Sequence, residues 1–265
     1  MNGAILALEN LTVRFGGLAA VDGVSFHVEP HSVHGLIGPN GAGKTTAFNL
    51  ISGLGHQSDG HIRFDGETMD DWPSWQRAKR GLARTFQNIR MFGEMTVLEN
   101  VLAGMHAHVG GGLGATLLRL KTFRTAESAA IVKAREILSF VGLVDASARA
   151  GNLPYGDQRR LEIARALASD PKLMLLDEPA AGMNPSETSG LIELLLRLKT
   201  RGVTLLLVEH DMHFIMNLCD RITVLNFGRK IAEGTPIEVR SDPKVIEAYL
   251  GTKVAERLEA GARVR

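Results

Sequence analysis

Nine residues, GPNGAGKTT at positions 38–46, have the types and spacing that bind a phosphate group. They form the pattern G-x-x-x-x-G-K-T, in which the glycines let backbone N–H groups point at one anion. Lys44 adds a charge for the β- and γ-phosphates, and the Thr45 hydroxyl can bind Mg²⁺. An apolar run at 33–37 precedes the loop, and a helix-compatible run at 45–51 follows it. This strand–loop–helix context predicts a phosphate site; the alternative is a glycine-rich turn with an exposed lysine.

Two acidic residues follow a buried strand further along the chain. The apolar run at residues 173–176 ends in Asp177 and Glu178, and such a run is typical of a strand covered on both faces of a parallel sheet. We expect Asp177 to face Mg²⁺, directly or through water. Glu178 is a candidate general base for the attacking water. The alternative, a helix N-cap formed by Asp-Glu-Pro, requires no phosphate nearby.

Gln87 and His210 are two further polar residues at predicted strand ends. Residues 81–87 read as a strand ending in Gln87, whose amide can orient water and sense Mg²⁺. His210 follows the buried run at 203–208 and can donate a hydrogen bond to the γ-phosphate. Taken alone, a glutamine at a strand end carries little information, and a histidine after a strand is more often structural.

Helices alternate with buried strands along the second half of the chain. This order predicts an α/β sheet with right-handed crossovers, in which ligands bind at the carboxyl ends of the strands. The phosphate loop, the pair Asp177 and Glu178, and His210 all follow predicted strands. We therefore expect all three groups at one edge of one sheet.

The composition is ordinary for a soluble globular protein. The chain has 265 residues, 45% of them apolar and 22% charged, which is enough to bury a sizeable core. Its net charge of +1 argues against a dedicated nucleic-acid binder. The single cysteine, Cys219, excludes an internal disulfide and fits a reducing compartment. No signal peptide or membrane-spanning run is predicted, so we expect any membrane location to depend on a partner.

The elements that position these groups are predicted as follows. Short strands are expected at residues 5–15 and 24–28, separated by a loop at 16–20. Helical spacing begins at residue 96 and continues to about 142, interrupted by a glycine-rich stretch at 110–114. We interpret that stretch as a flexible connection, because no Lys-Ser/Thr follows it.

Two further parts of the chain are expected to carry no chemistry. His106 and His108 lie close together but have no further cysteine or carboxylate partner, so we expect solvated side chains and no metal. Residues 252–265 are polar and rich in small side chains, which predicts a mobile tail.

Five motifs in a fixed order give the chain a resemblance to the ATP-binding-cassette (ABC) ATPases over nearly its whole length. They are GPNGAGKTT at 38–46, the glutamine at 87, LPYGDQRR at 153–160, LMLLDEP at 173–179 and the histidine at 210. The resemblance implies an α/β fold of the P-loop NTPase type, with a parallel-sheet core, a small antiparallel β subdomain and a helical subdomain at about residues 90–160. It also implies a single cassette over residues 1–251.

The same resemblance implies ATP and Mg²⁺ as cofactors and assigns roles to particular residues. The implied catalytic residues are Glu178, His210, Gln87 and Lys44, and the implied metal ligands are Thr45, Gln87 and Asp177. The implied nucleotide contacts are Phe15, Gly38, Pro39, Asn40, Gly41, Ala42, Gly43, Lys44, Thr45 and Thr46, with Leu153 and Gly156 acting in trans. Phe15 would stack on the adenine, although its pattern alone favours a core or edge-strand position.

Further motifs are similar to those of the ATPase subunit of high-affinity branched-chain amino-acid importers. They are ARTFQNIRMF at 83–92, TVLENV at 96–101, RRLEIARAL at 159–167, DEPAAGMNP at 177–185 and EAYLG at 247–251. This resemblance implies a subunit that hydrolyses ATP to energise import, at the cytoplasmic face of the inner membrane. The implied partners are a second cassette, two transmembrane permeases and, indirectly, a periplasmic amino-acid-binding protein, and no nucleic acid.

Two alternative functions stay open at this point. One is a cassette ATPase that serves another solute, such as urea or a lipid-linked glycan. The other is a soluble cassette ATPase that acts on nucleic acid or ribosomes. That second class usually carries tandem cassettes or coiled-coil insertions, whereas this sequence shows one cassette and no such insertion.

The segment at 153–157 departs from the usual Leu-Ser-Gly-Gly-Gln of ABC proteins. Pro154 replaces the serine, Tyr155 a glycine and Asp157 the glutamine. A tyrosine at this place is similar to the branched-chain family. The missing hydroxyl predicts weaker phosphate binding in trans, because a hydrogen bond to a charged group contributes about 1.5–3 kcal/mol. The amide of Gly156 and the helix dipole remain.

Overall fold

A computed structural model of the chain describes residues 3–105 and 121–250. The expectations for His106, His108, the stretch at 110–114 and the tail at 252–265 lie outside these described residues. Among the helices in the described ranges, none combines the length and apolar content needed to cross a membrane.

The strands form two sheets. In chain order they are β1 (Leu6–Phe15), β2 (Leu18–Val28), β3 (Val33–Ile37), β4 (Asp59–Phe64), β5 (Glu67–Thr68), β6 (Leu82–Arg84), β7 (Leu173–Asp177), β8 (Thr204–Val208), β9 (Arg221–Asn226) and β10 (Arg229–Gly234). The main sheet has the order β10-β9-β3-β8-β7-β6 and is parallel except for β10, which pairs antiparallel with β9. The second sheet is antiparallel in the order β2-β1-β4-β5.

The helices cover the main sheet and build a separate packed group. They are α1 (Lys44–Ile51), α2 (Ser74–Lys79), α3 (Val97–Gly104), α4 (Lys121–Val141), α5 (Tyr155–Leu167), α6 (Pro185–Thr200), α7 (Met212–Leu218), α8 (Pro236–Ser241) and α9 (Pro243–Leu250). Helices α3, α4 and α5 pack against one another. The predicted fold class, with its parallel core, small antiparallel sheet and helical part, is confirmed.

The main sheet is buried on both faces, as the continuous apolar runs predicted. Every residue of β3, β7 and β8 is buried. Along β8 the side chains alternate between two cores. Leu205 and Leu207 pack into the core on the helical side, whereas Leu206 and Val208 pack with α1 and the antiparallel sheet. Since β3, β8 and β7 are neighbours, their carboxyl ends lie side by side.

Two local predictions were wrong, and one helix was not predicted. Strand β2 begins at Leu18, earlier than predicted, because Phe15 pairs with Leu18 across a two-residue turn of glycines. Strand β6 ends at Arg84, so Gln87 lies in the irregular segment beyond it. Helix α8 was missed, although it begins with a capping box in which Thr235 and Glu238 bond each other's backbone N–H groups.

His34 lies on β3 inside this two-sided core, with 1% of its surface exposed. Its Nε2 lies 2.9 Å from Oγ1 of Thr223 on the neighbouring strand. Its ring stacks on Phe26 with the centroids 5.3 Å apart. Burial lowers the pKa of His34 from 6.5 to about 4, so the folded chain keeps this side chain neutral over most of that range.

This lowered pKa predicts a loss of stability in mild acid. Below pH 6.5 the unfolded chain binds a proton at His34 that the folded chain resists, so stability is lost as the pH falls from 6.5 to about 4. The loss amounts to about 3 kcal/mol. Relative to His34→Gln, the wild-type free energy of unfolding in urea should fall by this amount across the window. Parallel curves of unfolding free energy against pH for the wild type and His34→Gln would contradict the expectation. His56→Gln, at an exposed position, is the matched control.

Candidate active site

The phosphate loop begins where β3 ends and finishes at Lys44, the first residue of α1. Gly38 has a φ of 152°, and a Cβ there would lie 2.1 Å from the carbonyl oxygen of Leu225. Gly43 has a φ of 98°, and a Cβ there would lie 2.4 Å from the carbonyl oxygen of Ala20. Both positions therefore require glycine. The first turn of α1 directs its N–H groups towards the loop, as an anion site needs.

The Lys44 side chain lies inside the loop. Its Nζ donates hydrogen bonds to the carbonyl oxygens of Gly38 at 2.7 Å and Pro39 at 3.0 Å. Burial lowers the pKa of Lys44, and the nearby Glu178 carboxylate acts in the opposite direction. The ammonium group is thus held close to the loop backbone, and its predicted contact with the β- and γ-phosphates stays a prediction.

A cavity of about 310 Å³ opens above the loop. It is lined by Leu18, Ala19, Ala20, residues 40–46, Glu178, Phe227 and Gly228. Phe15 is not among the lining residues and is 64% exposed at the end of β1. The predicted stacking of Phe15 on adenine therefore stays a prediction, and the apolar wall of the cavity is formed by Leu18 and its neighbours.

Asp177 is the last residue of β7 and is buried. Its Oδ2 accepts a hydrogen bond from Nη2 of Arg84 at 2.9 Å. Nη1 of the same arginine donates to Oδ1 of Asn49 at 2.9 Å and to Oγ of Ser52 at 2.6 Å, both in α1 or at its end. Arg84 thereby connects the helix after the phosphate loop to the predicted metal-binding carboxylate. Sequence reasoning missed Arg84, because nothing in a three-residue strand indicates a partner so far along the chain.

Glu178 meets two of the other predicted catalytic residues. Nε2 of Gln87 donates a hydrogen bond to its Oε2 at 2.9 Å, and Nδ1 of His210 lies 3.9 Å from its Oε1. The Glu178 backbone has a φ of 45°, a left-handed conformation that is strained for a residue with a Cβ. Its N–H donates to the carbonyl oxygen of Val208 at 2.9 Å, which holds it in place. The structure therefore brings Gln87, Glu178 and His210 together beside the cavity.

Glu209 is a buried carboxylate that sequence reasoning did not assign. Only 1% of it is exposed. Its Oε1 accepts a hydrogen bond from the N–H of Ala180 at 2.9 Å, and its Oε2 accepts one from the N–H of His210 at 3.0 Å. One side chain thus links the loop after β7 to the loop after β8. The signal in the sequence was a charged residue directly after a buried strand, beside the histidine.

Helix α5 carries the unusual segment at 153–157. Pro154 is its N-cap residue and offers no side-chain cap. Gly156 is buried, and a Cβ there would lie 3.0 Å from Oε1 of Glu187. The carbonyl of Leu153 accepts a hydrogen bond from Nε2 of Gln158 at 2.8 Å. Gly156 therefore lies next to α6, and neither Gly156 nor Leu153 is among the residues that line the cavity.

A buried ion pair on α5 holds the segment that contains Gln87. Arg159 and Glu162 have side chains 0% and 1% exposed, and Nη1 lies 2.8 Å from Oε2. The arginine also donates to the carbonyl oxygens of Phe86 and Gln87, each at 2.9 Å. Oε1 of Glu162 accepts from the N–H of Phe86 at 3.2 Å. The segment that contains Gln87 is therefore bonded to α5 by fully buried charged side chains.

Comparison with known proteins decides the family. The family model described as ABC transporter matches residues 21–181, more than half of the chain. The chain belongs to the ABC transporter family. A second model, described as branched-chain amino acid ATP-binding cassette transporter, matches residues 229–255 of this ABC ATPase.

Individual relatives cover almost the whole ABC ATPase. The high-affinity branched-chain amino acid transport ATP-binding protein BraF of Pseudomonas aeruginosa is 47% identical over 253 residues, which cover 95% of this chain and 99% of BraF. The corresponding protein LivG of Escherichia coli strain K12 is 46% identical over 253 residues, with the same coverage. A solved structure of the ADP conformation of an ATP-binding cassette has a TM-score of 0.82 and 36% identity, covering 94% of this chain and 99% of that one. The resemblance predicted from the motifs is confirmed.

The donor groups of the ABC ATPase suit Mg²⁺. This ion prefers oxygen ligands, keeps several waters and is usually held by one or two protein groups together with phosphates. The hydroxyl of Thr45, the carboxylate of Asp177 and the amide oxygen of Gln87 are donors of this kind. No cluster of three or more His, Cys, Asp or Glu able to hold a metal occurs within residues 3–105 and 121–250. A site completed by nucleotide phosphates fits this donor set better than an all-protein metal site.

Pro154→Ser tests the interpretation of the unusual segment. A serine at this N-cap would satisfy an amide of α5 and would restore the hydroxyl whose loss is expected to weaken phosphate binding in trans. We expect the ATPase rate of the assembled transporter to rise, by up to about tenfold, since ~1.4 kcal/mol of transition-state stabilisation has that effect. Pro154→Ala, which lacks the hydroxyl, is the control. An unchanged or lower rate in Pro154→Ser would show that the missing hydroxyl does not limit turnover.

Proposed function

We propose that this ABC ATPase holds the triphosphate of Mg-ATP on the loop at 38–46 and hydrolyses it with Glu178 as the general base. The contact between Gln87 and Glu178, 2.9 Å long and beside the cavity over the loop, is the observation that carries the proposal. Lys44 supplies charge to the β- and γ-phosphates, and His210 donates a hydrogen bond to the γ-phosphate. Thr45, Gln87 and Asp177 hold Mg²⁺, which neutralises developing charge on the phosphates when bound.

Each residue has a defined task in this scheme. The strained backbone of Glu178 directs its carboxylate at the cavity, where it takes a proton from the attacking water. Gln87 donates to the same carboxylate and so holds it towards the nucleotide. Arg84 donates a hydrogen bond to one oxygen of Asp177, so the other oxygen would face Mg²⁺, directly or through water. Phe15 stacks on the adenine at the open end of β1.

Two copies of the cassette face each other in the proposed mechanism. Leu153 and Gly156 of one cassette contact the γ-phosphate on the loop of the other, so ATP joins the two halves. Hydrolysis removes that phosphoryl group and releases them. This is a two-state element whose equilibrium depends on one phosphate group. The surface at residues 88–94 passes the movement to membrane subunits.

The transported solute is proposed to be a branched-chain amino acid. Support comes from the names of BraF and LivG and from the branched-chain family match at 229–255. The proposed partners are a second cassette, two transmembrane permeases and, indirectly, a periplasmic amino-acid-binding protein. The proposed location is the cytoplasmic face of the inner membrane. A net charge of +1 gives no support to the alternative of a nucleic-acid partner.

Uptake by the assembled transporter tests this function. The chain is co-expressed with its permease partners, purified and reconstituted into vesicles together with the binding protein. We expect ATP-dependent accumulation of labelled leucine, isoleucine or valine and none of urea. Accumulation of urea would move the function to the alternative solute class. Absence of both uptake and phosphate release would contradict the proposal as a whole.

A further inference from the structure

Tyr155 is one of only two tyrosines in the chain, and none of the roles above explains it. It is the first residue of α5. Its hydroxyl donates a hydrogen bond to the carbonyl oxygen of Ala181 at 2.9 Å. Its ring covers Gly182, where a Cβ would lie 3.4 Å from Cε1 of the tyrosine. Tyr155 is therefore in direct contact with the loop that follows Glu178.

The same hydroxyl also belongs to a second set of contacts. It accepts a hydrogen bond from Nη2 of Arg159 at 3.2 Å, and this Nη2 donates to the carbonyl oxygen of Gln87 at 2.9 Å. The Gln87 side chain in turn donates to Glu178. These contacts close a ring that runs from Glu178 through Ala181, Tyr155, Arg159 and Gln87 back to Glu178. The Tyr155 hydroxyl is the point where its two branches meet.

We propose that Tyr155 is a positioning residue that couples the Gln87–Glu178 pair to the segment at 153–157 of the same chain. A γ-phosphate that attracts the side chain of Gln87 or Glu178 displaces the groups bonded to it on one branch of the ring. Both branches end at the tyrosine hydroxyl. The hydrogen bonds of such a ring reinforce one another, so the segment at 153–157 moves together with the loops that contain Gln87 and Glu178. This inference rests on the proposed function, in which the segment at 153–157 contacts the triphosphate bound by a partner cassette.

The contacts at position 155 require both the ring and the hydroxyl group of a tyrosine. A phenylalanine would keep the ring over Gly182 but lose both hydrogen bonds of the hydroxyl. The glycine that stands here in most cassettes has no side chain to reach either Ala181 or Arg159. The ring of contacts therefore depends on the tyrosine hydroxyl, and it connects the unusual segment directly to the hydrolytic residues of its own chain.

Fluorine NMR of the full-length chain tests this coupling. Labelling with 3-fluorotyrosine gives two resonances, because the chain has two tyrosines, and Tyr155→Phe identifies which one belongs to Tyr155. We expect the Tyr155 resonance to move on saturation with Mg²⁺ and the β,γ-imido analogue of ATP. In Gln87→Ala, at a concentration that saturates that variant, the movement should be lost. Gln76→Ala on α2, which is outside the ring, is the matched control and should keep the movement.

The outcomes separate the coupling from a local structural role. Movement in the wild type and in Gln76→Ala, but not in Gln87→Ala, supports the proposal. An equal movement in Gln87→Ala, or none in the saturated wild type, overturns it. A tyrosine that only packed on Gly182 would show the same movement of its resonance with and without the Gln87 side chain.

Steady-state kinetics provide a second arm. Tyr155→Phe removes both hydrogen bonds of the hydroxyl, so it should lower kcat of the assembled transporter by about tenfold or more and leave KM for ATP unchanged. An unchanged kcat overturns the inference. Failure of the proposed function would look different, because the wild type itself would then show no nucleotide binding and no phosphate release.

Discussion

Replacing Glu178 by glutamine should leave nucleotide binding intact and slow ATP hydrolysis by about 10²–10⁴-fold, the range for loss of a general base. The amide has the shape of the carboxylate, and its oxygen can still accept the hydrogen bond that Gln87 donates to Oε2. It cannot take a proton from water. We expect single-turnover phosphate release to slow while the dissociation constant for Mg-ATP stays near the wild-type value.

Glu193→Gln is the matched control for this change. Glu193 is an exposed glutamate on α6, away from the described catalytic contacts, so its replacement should leave turnover unaffected. Wild-type turnover in Glu178→Gln would remove Glu178 from the role of base. A loss of nucleotide binding in the same variant would show that its carboxylate supports the site and would separate that role from proton transfer.

Replacing Arg159 by methionine should destabilise the chain by about 3–5 kcal/mol, the usual cost of leaving a buried charge without its partner. The variant strands the Glu162 carboxylate, which is 1% exposed, and removes the donors to the carbonyl oxygens of Phe86 and Gln87. The free energy of unfolding from urea titrations measures the effect. Arg240→Met, at an exposed position of α8, controls for the loss of charge.

A double variant separates the ion pair from the carbonyl contacts. Arg159→Met with Glu162→Leu removes both charges and should recover part of the lost stability, because well-packed apolar residues replace a buried pair at little cost. If the single variant Arg159→Met were as stable as Arg240→Met, the stabilising role assigned to the Arg159–Glu162 pair would be contradicted. No recovery in the double variant would place the whole effect in the bonds to Phe86 and Gln87.

The positions of the phosphate loop, Asp177 and His210 could be predicted because each follows a short apolar run. Such a run is typical of a strand buried on both faces, and parallel strands place their carboxyl ends together. The structure confirms that β3, β8 and β7 are neighbours in that arrangement. Gln87 was placed near the site for a partly wrong reason, since its strand ends at Arg84 and the residue reaches Glu178 from an irregular segment.

The residues that were missed form contacts between segments far apart in the chain. Arg84 meets Asp177, and Glu209 meets the N–H of Ala180, through folding alone. A local pattern contains no information on such pairings. Arg159 was also missed, because charged residues on an amphipathic helix usually lie on its solvated face, whereas this side chain is fully buried beside Glu162.

Equilibrium binding of Mg-ATP to the full-length chain tests the central claim most directly, since everything proposed depends on a triphosphate held by the loop at 38–46. We predict saturable binding of one nucleotide per chain. In Lys44→Ala the affinity should fall by about tenfold or more, as expected for a lost charged hydrogen bond, whereas Lys133→Ala at an exposed position of α4 should bind like the wild type. Absence of binding by the wild type, or equal affinity in Lys44→Ala, would contradict the account.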